Sequence, residues 1–173
     1  MRVIFTAFQC LLAATCSGWA CSPPDATDPF RPETMEWQQH PGPGQQGGTG
    51  EYWEPIPAPV VEVLEVDRGF GSDGTSCDDM GILSLTLKLP VGSTYSIGEF
   101  AAYFRVKRGM DSGSIFPNLP LTGLARGDVS YYQFFWLDGA PEKQEPIDLE
   151  LEVFLVAKDL SIGPSTIVEI KSP

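Results

Sequence analysis

The chain is short of the residues that most often do chemistry. It has one histidine, His40, which lies in a proline- and glycine-rich stretch just before Pro41. A Ser-His-Asp or Cys-His device needs a histidine held by a rigid frame, so the folded part lacks the commonest general base and the commonest zinc ligand. There is no Gly-x-Ser-x-Gly elbow, phosphate-binding loop or Cys-x-x-Cys pair. Positive charge is also scarce, with 11 Lys and Arg against 23 Asp and Glu and a net charge of −12. Such a balance repels nucleic acid and anionic head groups. The one basic group, Arg105, Lys107 and Arg108, is too small to track a phosphate backbone. These shortages argue against an enzyme and against a nucleic-acid binder, and nothing in the pattern calls for a cofactor.

Long apolar runs are missing too, except at the start. Arg2 and the apolar segment from Val3 to Thr15 precede the small residues Gly18 and Ala20. The apolar segment is too short to span a bilayer, which takes about 20 residues. Small side chains three and one residues before a bond are what a signal peptidase accepts. Residues 1–20 therefore read as a secretory signal peptide cut after Ala20. Of the four cysteines, Cys10 and Cys16 would leave with it, and Cys21 and Cys77 would remain. In an oxidising compartment those two can form a disulfide, which would close a long loop and contribute about 4 kcal/mol. The segment 1–21 also resembles the leader of bacterial lipoproteins, in which the cysteine after the cut carries a diacylglyceryl group. That resemblance implies lipid attachment at Cys21 and a membrane partner held through the lipid. The preceding Gly18 and Trp19 depart from the family's Leu-like and small residues at those places. The two fates of Cys21 exclude each other. One gives a lipid-anchored envelope protein at the outer membrane or cell surface, and the other a secreted soluble one.

Residues 21–59 hold nine prolines and five glycines. Proline removes backbone donors and glycine raises the entropy cost of ordering, so the stretch reads as a disordered tether. Residues 60–173 then alternate with period two. Leu83, Leu85, Leu87 and Leu89 share one face of a strand, as do Phe100, Ala102, Phe104 and Val106 of another. Asp148, Glu150 and Glu152 mark the wet side of a third. Val129–Leu137 and the framing segments 59–66 and 166–171 add three more, and 114–121 is a candidate seventh. Turn residues separate them all. About seven short strands in one domain predict an all-β sandwich. Val156-Ala157-Lys-Asp159 followed by Gly163-Pro-Ser165 resembles the final hairpin of fibronectin type III-like domains. Leu121-Thr-Gly-Leu124 with Gly127 and Tyr131 or Tyr132 resembles the corner of the same family. The resemblance implies a single immunoglobulin-like, fibronectin type III-like β-sandwich.

Candidate sites are few. Tyr131, Tyr132, Phe134, Phe135 and Trp136 put aromatics on both faces of one strand, so one set fills the core and the other is left for packing or a ligand. Tyr132, Phe134 and Trp136 are taken as the candidate ligand row. Asp73, Asp78 and Asp79, in a glycine-rich loop, are candidate calcium ligands. Glu150 and Glu152 are paired carboxylates of the kind glycoside hydrolysis uses, although their place is a solvent-facing strand side. Arg126-Gly127-Asp128 is an RGD tripeptide on an expected turn. The resulting expectation is a non-enzymatic, lipid-anchored envelope protein acting as an interaction or structural module with an envelope protein or glycan. The rival is a carbohydrate-binding module that uses the aromatic strand.

Overall fold

The structure is a computed structural model, and it describes residues 27–30, 55–71, 77–109, 115–158 and 160–172. Among these residues there is no α-helix, and eight strands form one antiparallel system. They are β1 (Thr27–Pro29), β2 (Val60–Asp67), β3 (Met80–Lys88), β4 (Ala101–Arg108), β5 (Leu121–Arg126), β6 (Val129–Leu137), β7 (Ile147–Val156) and β8 (Thr166–Ser172). The hydrogen-bonded order is β2-β3-β6-β5-β4-β7-β8, with β1 added to β5. The end strands β2 and β8 come close without pairing, and the Thr166 hydroxyl donates to the Pro59 carbonyl at 2.5 Å. The sheet is thus curled almost into a barrel.

One short strand makes the corner. The first half of β5 pairs with β1 and, through Leu121–Ala102, with β4, while its second half pairs with β6. Where β5 and β6 diverge, β1 fills the wedge, and the Thr27 hydroxyl donates to the Gln133 carbonyl. Gly123 permits this close approach, since a Cβ there would lie 2.6 Å from the Tyr132 ring and 2.7 Å from the Tyr131 carbonyl. The β5–β6 hairpin turns on Gly127-Asp128, and Gly127 takes a φ of 64°. This fits a two-residue turn with glycine first, whose twist matches the strands. The RGD tripeptide accordingly makes a tight hairpin.

The core lies between the β2-β3-β6 half and the β4-β7-β8 half. The leucines at 83, 85 and 87 are buried, as are Phe104, Leu151, Val153 and Leu155 opposite them. Phe104 meets Tyr132 and Phe134 at 5.1 and 4.9 Å between ring centroids, and Phe116 meets Phe134 at 4.7 Å. A second, smaller cluster covers the outer face of β4 and β7. It joins Ala101 and Tyr103 with Phe154 and Val156, and Phe30 and Ile162 lie over them.

The all-β expectation holds, with three corrections of detail. The seventh strand is Leu121–Arg126 rather than 114–121, so the segment that resembles a fibronectin corner is itself a strand. Thr27–Pro29, inside the stretch expected to be a disordered tether, is the eighth. Phe30, Ile56 and Pro59, from the same stretch, are buried against the domain. Apolar side chains flanking the prolines gave that stretch surface to bury, which a composition argument overlooks.

Candidate functional site

The outer face of the β2-β3-β6-β5 half carries the clearest groove. Its construction begins in β2, where Val61, Val63 and Val66 point inward and Glu62, Glu65 and Asp67 are exposed. Strict alternation over Val-Glu-Val-Leu-Glu-Val-Asp would send either the valines or the acids to the wrong side. A register shift between Val63 and Glu65 absorbs Leu64 as an extra residue, a β-bulge. The bulge keeps Val66 inward and the acids outward, and it leaves Leu64 50% exposed on the open side.

The register across the strands then defines rows on this face. Val60, Lys88, Val129 and Arg126 lie across one end. Glu62, Thr86, Tyr131 and Leu124 form the next row, then Glu65, Ser84 and Gln133, then Asp67, Ile82 and Phe135. Leu64 and Leu124, the latter 46% exposed, flank a groove of about 440 Å³ that Glu65, Ser84, Tyr131, Gln133 and Arg126 also line. Its floor is polar. The Gln133 amide donates to the Ser84 hydroxyl at 3.3 Å, and Ser84 and Thr86, both short, lie buried beneath taller neighbours. The Thr86 hydroxyl, buried and outside the groove lining, makes no hydrogen bond. The Arg126 guanidinium sits 5.7 Å over the Tyr131 ring, a cation–π contact that holds both at the rim.

The candidate ligand row has the opposite parity from the open face. Tyr132 and Phe134 are 1% and 3% exposed and belong to the core. Burial raises the Tyr132 hydroxyl pKa to about 12, only partly countered by its hydrogen bonds with Ser130 and Gly123. Trp136 is half-buried across Gly81, where a Cβ would fall on the indole. The outward aromatics are Tyr131 and Phe135. A one-residue change of parity moves a whole side-chain set between faces, and five aromatics among nine residues left nothing in β6 to choose it.

The other candidates are not brought together. Asp78 is exposed while its neighbour Asp79 is fully buried, so they face different surroundings, and Asp73 lies outside the described residues. Among the described residues, no group of three His, Cys, Asp or Glu side chains has a metal-binding arrangement. Cys77 begins a short 3-10 turn, Cys77–Asp79, and Cys21 and residues 1–20 lie outside the described residues. Glu150 and Glu152 are tied to Arg108 and Arg105 respectively, and Ser165 also donates to Glu152. Burial pushes the Glu152 carboxyl up, but bonds from Arg105 and Ser165 and the charges of Arg105 and Lys107 outweigh it and hold it below its ordinary value. The basic group 105–108 is therefore matched within the fold.

A second cleft, about 370 Å³, lies at the end of the barrel between Arg68, Trp136, Asp138 and the 143–149 segment. Its polar groups bind one another. Arg68 donates to both Asp138 oxygens at 2.6 and 2.9 Å and to the Glu145 carbonyl, and the Gln144 amide donates to the carbonyls of Gly69 and Gly139. Desolvation alone would raise the Asp138 carboxyl pKa. Hydrogen bonds from Arg68, Trp136 and the Gly69 N–H, with the Arg68 charge, hold it lower than usual. This arrangement is a latch between two loops rather than a receptive site. No known protein family, curated protein or solved structure matches the chain.

Proposed function

We propose that this chain is a non-enzymatic interaction module of the cell envelope, lipid-anchored at Cys21, and that it recognises its partner with the outer face of β2-β3-β6-β5. The leader-like residues 1–20 and the cysteine that follows support the location. One observation carries the recognition reading: the two outer faces are treated differently. The β4-β7 face is covered by Phe30 and Ile162, while the β2-β3-β6-β5 face leaves Leu64 and Leu124 half exposed beside a groove with a polar patch of Ser84 and Gln133. Exposed apolar side chains rimmed by charge mark interaction surfaces.

The test is a photo-crosslinking amino acid placed at position 124, with position 148 on the other half as control, in cells producing the full chain. A discrete adduct from 124 alone supports the reading, and none from either position defeats it. The intact mass of the mature chain reports the anchor. Added acyl mass at Cys21 in the membrane fraction supports lipidation, whereas an unmodified soluble chain two hydrogens lighter means a Cys21–Cys77 disulfide and secretion.

A second reading, glycan binding, draws on the outward pair Tyr131 and Phe135 with Gln133 between them on β6. Aromatic faces beside amide and hydroxyl groups suit sugars. Loss of polysaccharide binding in Tyr131→Ala without loss of folding would favour it.

A further inference from the structure

We infer that the occupant of the β2–β5 groove is a cationic peptide segment that inserts one apolar side chain between Leu64 and Leu124, an inference that rests on the open face being the recognition surface. Two observations converge on that chemistry. The lips are aliphatic and half exposed, and the β2 bulge is what delivers Leu64 to them. Bulges recur where a strand must re-aim a side chain beside a functional site. The wall along β2 is acidic: Glu62, Glu65 and Asp67 are all exposed on the groove side, in a chain of net charge −12. Like charge excludes anionic partners from such a wall, and opposite charge speeds encounter and fixes register.

The basic residues on this face have fixed places. Lys88 and Arg126 lie in the end row by the β5–β6 turn, and Lys88 is 4.0 Å from Glu62. The row nearest the bulge, Glu65-Ser84-Gln133, contains no basic residue. Positive charge on the ligand therefore belongs beside Glu65 and Asp67, with its apolar side chain one row nearer the turn. Stacking on Tyr131 is the feature a sugar would need most, and Arg126 already covers that ring. This favours the peptide over the glycan.

The experiment titrates the full chain with a soluble dodecapeptide of alternating lysine and serine with one central leucine, against its leucine-to-serine analogue and a neutral oligosaccharide. The leucine peptide should bind at least about tenfold more tightly than its analogue, as one buried anchor residue typically gives. Binding should weaken as salt rises. Glu65→Lys should weaken it about tenfold, while Glu169→Lys, the same charge change on β8, should change it less than about twofold. Leu124→Ser is a milder second variant, and circular dichroism confirms that each variant folds. Equal binding of both peptides, or equal effects of Glu65→Lys and Glu169→Lys, would reduce the interaction to bulk charge and overturn the inference. Binding of the oligosaccharide alone would overturn it while leaving the recognition face intact. Absence of any adduct at position 124 in cells would instead sink the recognition face itself.

Discussion

The two outer faces of this barrel are built from similar strands and end in opposite conditions. On the β4-β7 side, Ala101 and Tyr103 pair with Val156 and Phe154, and the chain returns twice to cover them, once as Phe30 and once as the 160–162 turn. On the β3-β6 side, the matching outward positions are Ile82, Ser84, Thr86 and Lys88 opposite Phe135, Gln133, Tyr131 and Val129. Among the described residues, neither buried cluster lies over them. The difference is written in the strands. The segments Phe100-Ala-Ala-Tyr-Phe104 and Val153-Phe-Leu-Val156 lose their alternation and are apolar on both sides, as strands covered on both faces are. The Leu-Ser-Leu-Thr-Leu-Lys stretch of β3 keeps its alternation and needs no cover. A strand's alternation thus reports which face the rest of the chain must find a way to hide.

The largest expected effect sharpens this contrast. Phe154→Ala removes a ring that is 2% exposed, yet on the face opposite the main core. It should cost about 3–5 kcal/mol in urea denaturation, the range for a fully buried phenylalanine. A cost near that of a surface substitution would mean that the second cluster is not packed. Phe30→Ala tests the cover itself and should cost about 2–3 kcal/mol, less because β1 is short and can give way.

Asp138→Asn asks whether the end latch, rather than the covered face, holds the loops. Loss of one member of a largely buried ion pair should cost about 2 kcal/mol or more. The latch also carries a pH signature. Because the folded Asp138 carboxyl is held below its ordinary value, the unfolded chain takes up its proton first as pH falls. The stabilisation is complete above the ordinary carboxylate pKa of about 4 and is lost as pH drops through the lowered folded value. Acid titration of stability should be flatter for Asp138→Asn than for the parent in that window. Smallest of all, Leu124→Ser on the open face should change stability by less than about 0.5 kcal/mol. A larger loss would mean that the groove is core.

Much of the architecture was legible in the sequence because burial on one face writes a period of two. Leu83, Leu85 and Leu87, and Phe104 with Ala102, faced the core as their spacing required. The Val-Glu-Val-Leu-Glu-Val-Asp stretch even marks its own bulge, for the acid alternation slips by one residue at Leu64. β6 was illegible in the one respect that mattered for the site, since a strand aromatic on both sides does not say which side is in. β5 hid because Leu-Thr-Gly-Leu-Ala-Arg has the look of a turn, and it is a strand by virtue of its two neighbours and the close approach at Gly123. β1 hid among prolines. At Pro29 the chain needs no ladder donor to keep Phe30 in place, because the Phe30 N–H reaches the Pro120 carbonyl at 2.9 Å.

The measurement that bears most directly on the open face is hydroxyl-radical footprinting of the full chain, purified and again in intact cells. In the purified chain Tyr131 and Leu124 should be oxidised while Tyr103 and Phe154 stay protected. In cells Tyr131 and Leu124 should become protected, and Ile167, exposed on β8, should be labelled in both. Equal protection of Tyr131 and Tyr103 in the purified chain would contradict an open face, and unchanged labelling of Tyr131 and Leu124 in cells would contradict its role in recognition.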